Sequence, residues 1–202
     1  KSSNKTGVVI TTSGPGITNM VTPMLDALND STPLVVISGQ VGLKNMGTDA
    51  FQEAPAVEIT RKITKWSHLI KSVEEIPFVI DMAFSIANNG KKGPVHLDIP
   101  KCILTDSIDG TKIDFKEIRE NKKELFENLN KNPGYFNGDF NDLYRITNII
   151  NRSEKPIFYI GQGCNGASYE LLEIARKNNI PVTSTIHGKG IFDDRHPLSL
   201  QW

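Results

Sequence analysis

Three short apolar runs, GVVITT (7–12), PLVVISG (33–39) and PVHLDIP (94–100), recur between amphipathic stretches. This recurrence is the strongest constraint on the fold. Each run is short, rich in β-branched residues and apolar on both faces, which is how a strand reads when helices cover both sides of a parallel sheet. Between them, ITNMVTPMLDALND (17–30) carries apolar residues at helical spacing, and shorter helices are expected over 54–59 and 73–88, the latter with Glu74 and Glu75 in its first turn. SHLIKSV (67–73) reads as a further strand. Strand and helix therefore alternate as in a doubly wound α/β fold.

The pattern stops at residue 105. Residues 105–138 are charged, rich in Asn and weakly periodic, and read as a linker with a solvated helix over 116–132. A second α/β unit opens at 139 with a helix to 153, for which Asp139 or Asn141 is the expected N-cap. It continues with a strand over 156–164, a helix over 167–179 and a strand and turn over 181–190, in the manner of a Rossmann-like domain. The expected division is thus 1–104, 105–138 and 139–202. A start at Lys1 without Met, and a stop at Gln201 and Trp202 just after a turn, lead to the expectation of a segment of a longer polypeptide.

Composition narrows the function classes. With 23 basic and 23 acidic residues the chain has no net charge, which argues against nucleic-acid or anionic-membrane partners recognised through bulk charge. Cys102 and Cys164 match no metal or CxxC spacing and read as ordinary thiols. No apolar run approaches the roughly 20 residues of a membrane span, and no signal or transit pattern is present within these residues.

Several motifs bear on chemistry. Ser13-Gly14-Pro15-Gly16 follows a strand and opens a helix. Ser13 can cap, Pro15 suits the first turn, and the glycines allow backbone to approach a ligand or another segment, although a plain strand-to-helix turn explains the same residues. Gly161, Gly163 and Gly166 fit GxGxxG formally, but no acidic residue follows at the spacing of a nicotinamide site, so the match is weak for NAD. His68, His96, His187 and His196 lack metal-ligand spacing. His96 is expected to be a satisfied core residue and His187 a contact in a strand-end loop. Lys101 ends a strand at the carboxyl edge of the sheet, where ligands of open α/β folds gather, yet it reads equally as a solvated surface lysine.

Taken in order, TSGPGITN, DSTPLVVISGQV, GTDAFQE, ITRKITKWSHLI, NNGKKGPVHLDIPK, KPIFYIGQG and PVTSTIHGKG resemble the acetohydroxyacid (acetolactate) synthase catalytic subunits, which are thiamine-diphosphate enzymes. The resemblance is dense over 7–101 and looser over 139–202. It implies the later part of a thiamine pyrimidine-binding domain followed by the start of a central FAD-binding domain. The activating Glu and the Mg²⁺ and diphosphate motif of that family would lie outside this chain.

The resemblance also implies roles. Gln52 matches a glutamine facing the thiamine cofactor and the reacting groups across a dimer interface, and Phe51 its aromatic neighbour. Ser31, Lys91, Gly161, Gln162, Gly163, Thr185, Ile186 and His187 match FAD-contacting positions. Lys65, Lys101, Ala50 and Gly42 match the substrate channel. Where the family commonly has Arg, Pro and Met, this chain has Lys91, Gly42 and His187. A lysine lacks the planar fork of arginine, which weakens the expected FAD contact, and Gly42 removes ring contacts, so channel-blocking herbicides are expected to inhibit less.

The implied reaction is decarboxylation of pyruvate and carboligation to a second 2-oxo acid, the first step of branched-chain amino acid synthesis. A homodimer or tetramer and a regulatory subunit are implied partners, and the location is cytoplasm, plastid or mitochondrion. Other thiamine-diphosphate decarboxylases, carboligases or pyruvate oxidases, a non-catalytic dimerisation or nucleotide-binding piece, and a nicotinamide-binding module remain the alternatives.

Overall fold

In a computed structural model of the chain, residues 3, 5–110, 113–114, 116, 120, 123 and 140–201 are described. Two compact units form, Lys1–Phe136 and Asn137–Trp202. Most of the helix expected over 116–132, and the Asp139 cap, lie outside the described residues.

In the first unit the elements follow in the order β1 (Gly7–Thr11), α1 (Pro15–Thr18), α2 (Val21–Asn29), β2 (Leu34–Gln40), α3 (Ala56–Thr60), β3 (Trp66–Leu69), α4 (Ile76–Asn88), β4 (Pro94–Pro100) and α5 (Lys101–Leu104). The four strands are parallel in the order β1-β2-β4-β3. Successive side chains of a strand point to opposite faces, and the core divides accordingly. Val35, Val95 and Leu97 pack with Val79, Met82, Ala83 and Ile86 of α4, whereas Val36 packs with Ile17, Met24, Ala54 and Ala56 on the other side. Helices cover both faces of β2 and β4, which is the doubly wound arrangement, whereas the edge strand β1, expected to be covered on both sides, leaves Val8 and Ile10 exposed.

Two helices are shorter than their periodicity suggests, and proline is the reason in each. The stretch 17–30 breaks into α1 and α2, because Pro23 lacks an N–H and its ring excludes the carbonyl one turn earlier, so it is tolerated only in a first turn. Likewise α4 starts at Ile76 with Pro77 in its first turn, leaving Glu74 and Glu75 ahead of it. The Glu75 carboxylate accepts hydrogen bonds from the Lys71 and Ser72 amides and contacts His68 Nε2 at 3.2 Å.

The second unit contains α6 (Phe140–Arg152), β5 (Phe158–Ile160), α7 (Ser168–Asn178) and β6 (Val182–Ser184), with β5 and β6 parallel. Asn141, the other capping candidate, stands inside α6. Asn179 ends α7 in the left-handed conformation at φ 51, an accepted C-terminal stop. Ile160, Ala175, Val182 and Phe192 form a small core.

Candidate functional site

Two loops meet at the carboxyl edge of the first sheet: Ser13-Gly14-Pro15-Gly16 after β1, and the segment from Val41 to Pro55 after β2. Gly14 has φ 55. A Cβ built on it would stand 2.8 Å from the Gln52 carbonyl oxygen, 3.0 Å from Gln52 Cβ and 3.1 Å from Gln52 Cα. Only glycine lets this corner lie so close against Gln52. The expected Ser13 cap does not form: Gly14 is the N-cap residue of α1 and no side chain caps it. A helix of four residues also offers little of the dipole that would hold an anion.

The GTDAFQE loop is ordered at some energetic cost. Gly47, Asp49 and Gln52 have φ of 81, 56 and 60. Non-glycine residues in this region persist where their surroundings fix them. The Glu53 carboxylate does much of the fixing, accepting hydrogen bonds from the Gly47 and Ala50 amides, while the Glu53 amide donates to Ala50 O at 2.9 Å. The Gly47 N–H is the largest cause holding the Glu53 carboxyl below its ordinary value of 4.5. Held in this way, the loop leaves Gln52 exposed and Phe51 89% exposed.

Beneath the loop lies a buried polar network that sequence reasoning did not anticipate. Ser38 is in register with Asp98 and Val36 with His96, so Ser38, Gln40, His96 and Asp98 share one face of the sheet. The Ser38 hydroxyl donates to Asp98 Oδ1 at 2.5 Å, and Gln40 Nε2 donates to Asp98 Oδ2 at 2.9 Å. With its one proton used on Asp98, Ser38 accepts from His96 Nε2 at 2.8 Å. The other ring nitrogen, Nδ1, lies 2.8 Å from Thr60 Oγ1, whose hydroxyl donates to Ala56 O at 2.8 Å. Ser67 lies 3.0 Å from Thr60 Oγ1 and 2.7 Å from Thr64 Oγ1 and completes the network. It borders a cleft of about 320 Å³ whose lining includes Ala54, Glu58, Arg61 and His68.

His96 is therefore the satisfied core histidine that its strand predicts. Burial pulls its pKa from 6.5 to about 4. Between these values the unfolded chain binds a proton and the folded one does not, so stability falls as pH drops from 6.5 towards 4, by about 3 kcal/mol in all. Asp98 is pushed upward, chiefly by burial and against the hydrogen bonds of Ser38 and Gln40, and acts in the opposite sense. The His96 contribution is thus read as a difference: His96→Leu should flatten the acid limb in urea titrations at several pH values. An unchanged slope would contradict the assignment.

The other candidate residues separate. Gly42, Ala50, Phe51, Gln52 and Lys101 follow the carboxyl ends of β2 and β4. Ser31, Lys65 and Lys91 precede β2, β3 and β4 and stand at the opposite edge. Lys65 donates to Ile86 O and Asn89 O at the end of α4, and burial pulls its pKa down to about 8. Lys65 and Lys101 are thus not brought together within this unit.

In the second unit, Gly161, Gln162 and Gly163 enter a 3-10 turn over Gln162–Cys164 rather than opening a helix, and α7 begins only at Ser168. The glycine pattern therefore does not build a dinucleotide turn of the nicotinamide type. Thr185, Ile186 and His187 lie in a facing 3-10 turn, where the Thr185 hydroxyl accepts from the Gly188 amide at 3.2 Å. A Cβ at Gly188 would stand 2.8 Å from Ile160 O, so glycine is what lets the two turns pack at the carboxyl edge of β5 and β6. Gly163 has nothing within 4 Å of its would-be Cβ, and Ile186 is 66% exposed.

Residues 1–59 match the family model "Thiamine pyrophosphate enzyme, N-terminal TPP binding domain", and residues 143–202 match "Thiamine pyrophosphate enzyme, central domain". Over 201 residues the chain is 41% identical to acetolactate synthase 1, chloroplastic, of Oryza sativa subsp. japonica, covering 100% of this chain and 30% of that protein. It is 41% identical over 205 residues to the chloroplastic acetolactate synthase of Arabidopsis thaliana, covering 99% and 28%. It is 43% identical over 206 residues to the mitochondrial acetolactate synthase catalytic subunit of Saccharomyces cerevisiae, covering 99% and 29%. The chain spans about 30% of the length of the curated relatives it matches.

Proposed function

The chain belongs to the thiamine pyrophosphate enzyme family, and from that premise we propose that it is part of an acetolactate synthase catalytic subunit. Residues 1–104 are the later part of the pyrimidine-binding domain, 105–138 a linker and 139–202 the opening of the central domain. The observation that carries this reading is the GTDAFQE loop. A bare phenylalanine and a left-handed glutamine are both held in place at the sheet edge where ligands of such folds bind. An ordered loop that exposes an aromatic ring in this way is suited to meet another surface, here the thiamine site shared with a second subunit.

Thiamine diphosphate, when bound, supplies the electron sink for decarboxylation. The chain's own residues supply orientation and polarity. Gln52 offers a neutral amide that orients a carbonyl or carboxylate without titrating near pH 7, and Phe51 shields the reacting groups from water. Gly42, Ala50 and Lys101 border the path of pyruvate and the second 2-oxo acid. The Gly42 backbone, at φ −58 with nothing within 4 Å of its would-be Cβ, already has the geometry of the proline common at this position.

The residues of the second unit fit FAD. The open space at Gly163 and the exposed Ile186 leave room for a flat ring system beside Gly161, Gln162, Thr185 and His187. Among the described residues no group of three or more His, Cys, Asp or Glu is placed to hold a metal ion. A homodimer or tetramer, a regulatory subunit and a plastid or mitochondrial location complete the reading.

The test is a chimera in which residues 1–202 replace the matching stretch of the yeast subunit, supplied with thiamine diphosphate, Mg²⁺, FAD and pyruvate. Acetolactate is the expected main product. Acetaldehyde or acetate in its place would assign the chain to another reaction of the family, and no turnover beside an active yeast control would mark it as non-catalytic.

A further inference from the structure

Gln40 is buried, with 5% of its surface exposed, and it ends β2 immediately before the loop that carries Gln52. Its carboxamide uses both donors and one acceptor site. Oε1 accepts from the Val41 amide at 2.9 Å, and the two Nε2 hydrogens go to Ala54 O at 2.8 Å and Asp98 Oδ2 at 2.9 Å. Val41 and Ala54 are the two ends of the loop. A single side chain thus ties the loop's entry to its exit, and Asp98, 1% exposed, fixes that side chain to the neighbouring strand.

From this geometry we infer that Gln40 is a positioning residue, which with Asp98 as its anchor holds the 41–54 loop in the conformation that presents Gln52. Glu53 ties the tip of the loop through Gly47 and Ala50, while Gln40 ties its base. Removing the amide leaves the Val41 N–H and Asp98 Oδ2 without that partner, and Ala54 O with only the Ala56 amide at 2.8 Å, which releases the base of the loop. Asp98 acts through its acceptor atoms. An asparagine there can turn its carbonyl to Gln40 and its amide to Ser38, which then donates to His96 Nε2, so every bond is remade with the protons reversed. The consequence for catalysis rests on the proposed role of Gln52; the positioning itself does not.

Amide hydrogen exchange on the full 202-residue chain, followed residue by residue in Gln40→Leu and Asp98→Asn, tests the inference. In Gln40→Leu the amides of the 41–54 loop, Gly47 and Ala50 included, are expected to exchange about tenfold faster or more, with those of β2 and β4 unchanged. Asp98→Asn is expected to keep the loop near its original rates. Unchanged loop exchange in Gln40→Leu overturns the inference. So does an acceleration spread evenly over strands and loop, which would make Gln40 an ordinary core residue, and so does equal release in Asp98→Asn. If exchange behaves as expected while Gln52→His leaves the reaction products unmoved in the chimera, the positioning by Gln40 stands and the reading of Gln52 falls.

Discussion

Gly14→Ala is expected to destabilise the first unit by about 2–4 kcal/mol, or to push Gln52 out of its place. Two effects add. The left-handed φ of 55 disfavours any residue with a Cβ, and that Cβ would meet the backbone of Gln52 rather than a flexible side chain. Backbone atoms at 2.8 and 3.1 Å cannot give way without moving the GTDAFQE loop. Chemical denaturation of the chain measures the first outcome. Loss of acetolactate formation in the chimera, with folding retained, measures the second. Wild-type stability together with wild-type activity would show that the contact between the two loops has no consequence.

Much of this architecture was legible in the residues. The apolar runs placed β1, β2 and β4; β2 and β4 are buried as such runs predict, whereas β1, at the edge of the sheet, leaves Val8 and Ile10 exposed. The polar residues inside those runs were harder to read. Ser38, Gln40, His96 and Asp98 follow the two-residue alternation of a strand face, but each sits among Val, Ile and Leu in a run that is apolar on balance. The signal that could have found them is the register of polar residues in two separate strands, and pairing is not visible before the sheet is formed. The Ser13 cap failed for a related reason: the approach of Gln52 from about forty residues away decides that Gly14 takes the corner. Phe51 and Gln52 were singled out by resemblance, whereas their strained but well-held backbone is a property of the fold. Lys65 shows the reverse case, a candidate channel residue whose ammonium closes the end of α4 at the opposite edge of the sheet.

Gln52→His carries the second large expected effect, and it bears on chemistry more than on stability. Gln52 is exposed, so the substitution removes no buried contact of its side chain. What changes is proton transfer. An amide can orient a carbonyl by hydrogen bonding but cannot deliver a proton at neutral pH, whereas an imidazole titrates in that range and can act as a general acid. In the reaction proposed above, a proton donor at this position would favour release of acetaldehyde, and a residue that cannot donate would favour carboligation to a second 2-oxo acid. The histidine variant should therefore divert product from acetolactate to acetaldehyde.

The most direct measurement is the ratio of these two products formed from pyruvate by the chimera and by its Gln52→His variant at pH 7. A rise of about tenfold or more in acetaldehyde relative to acetolactate is expected. An unchanged ratio in an active enzyme would contradict it, and Gln52 would then have no part in directing the reaction.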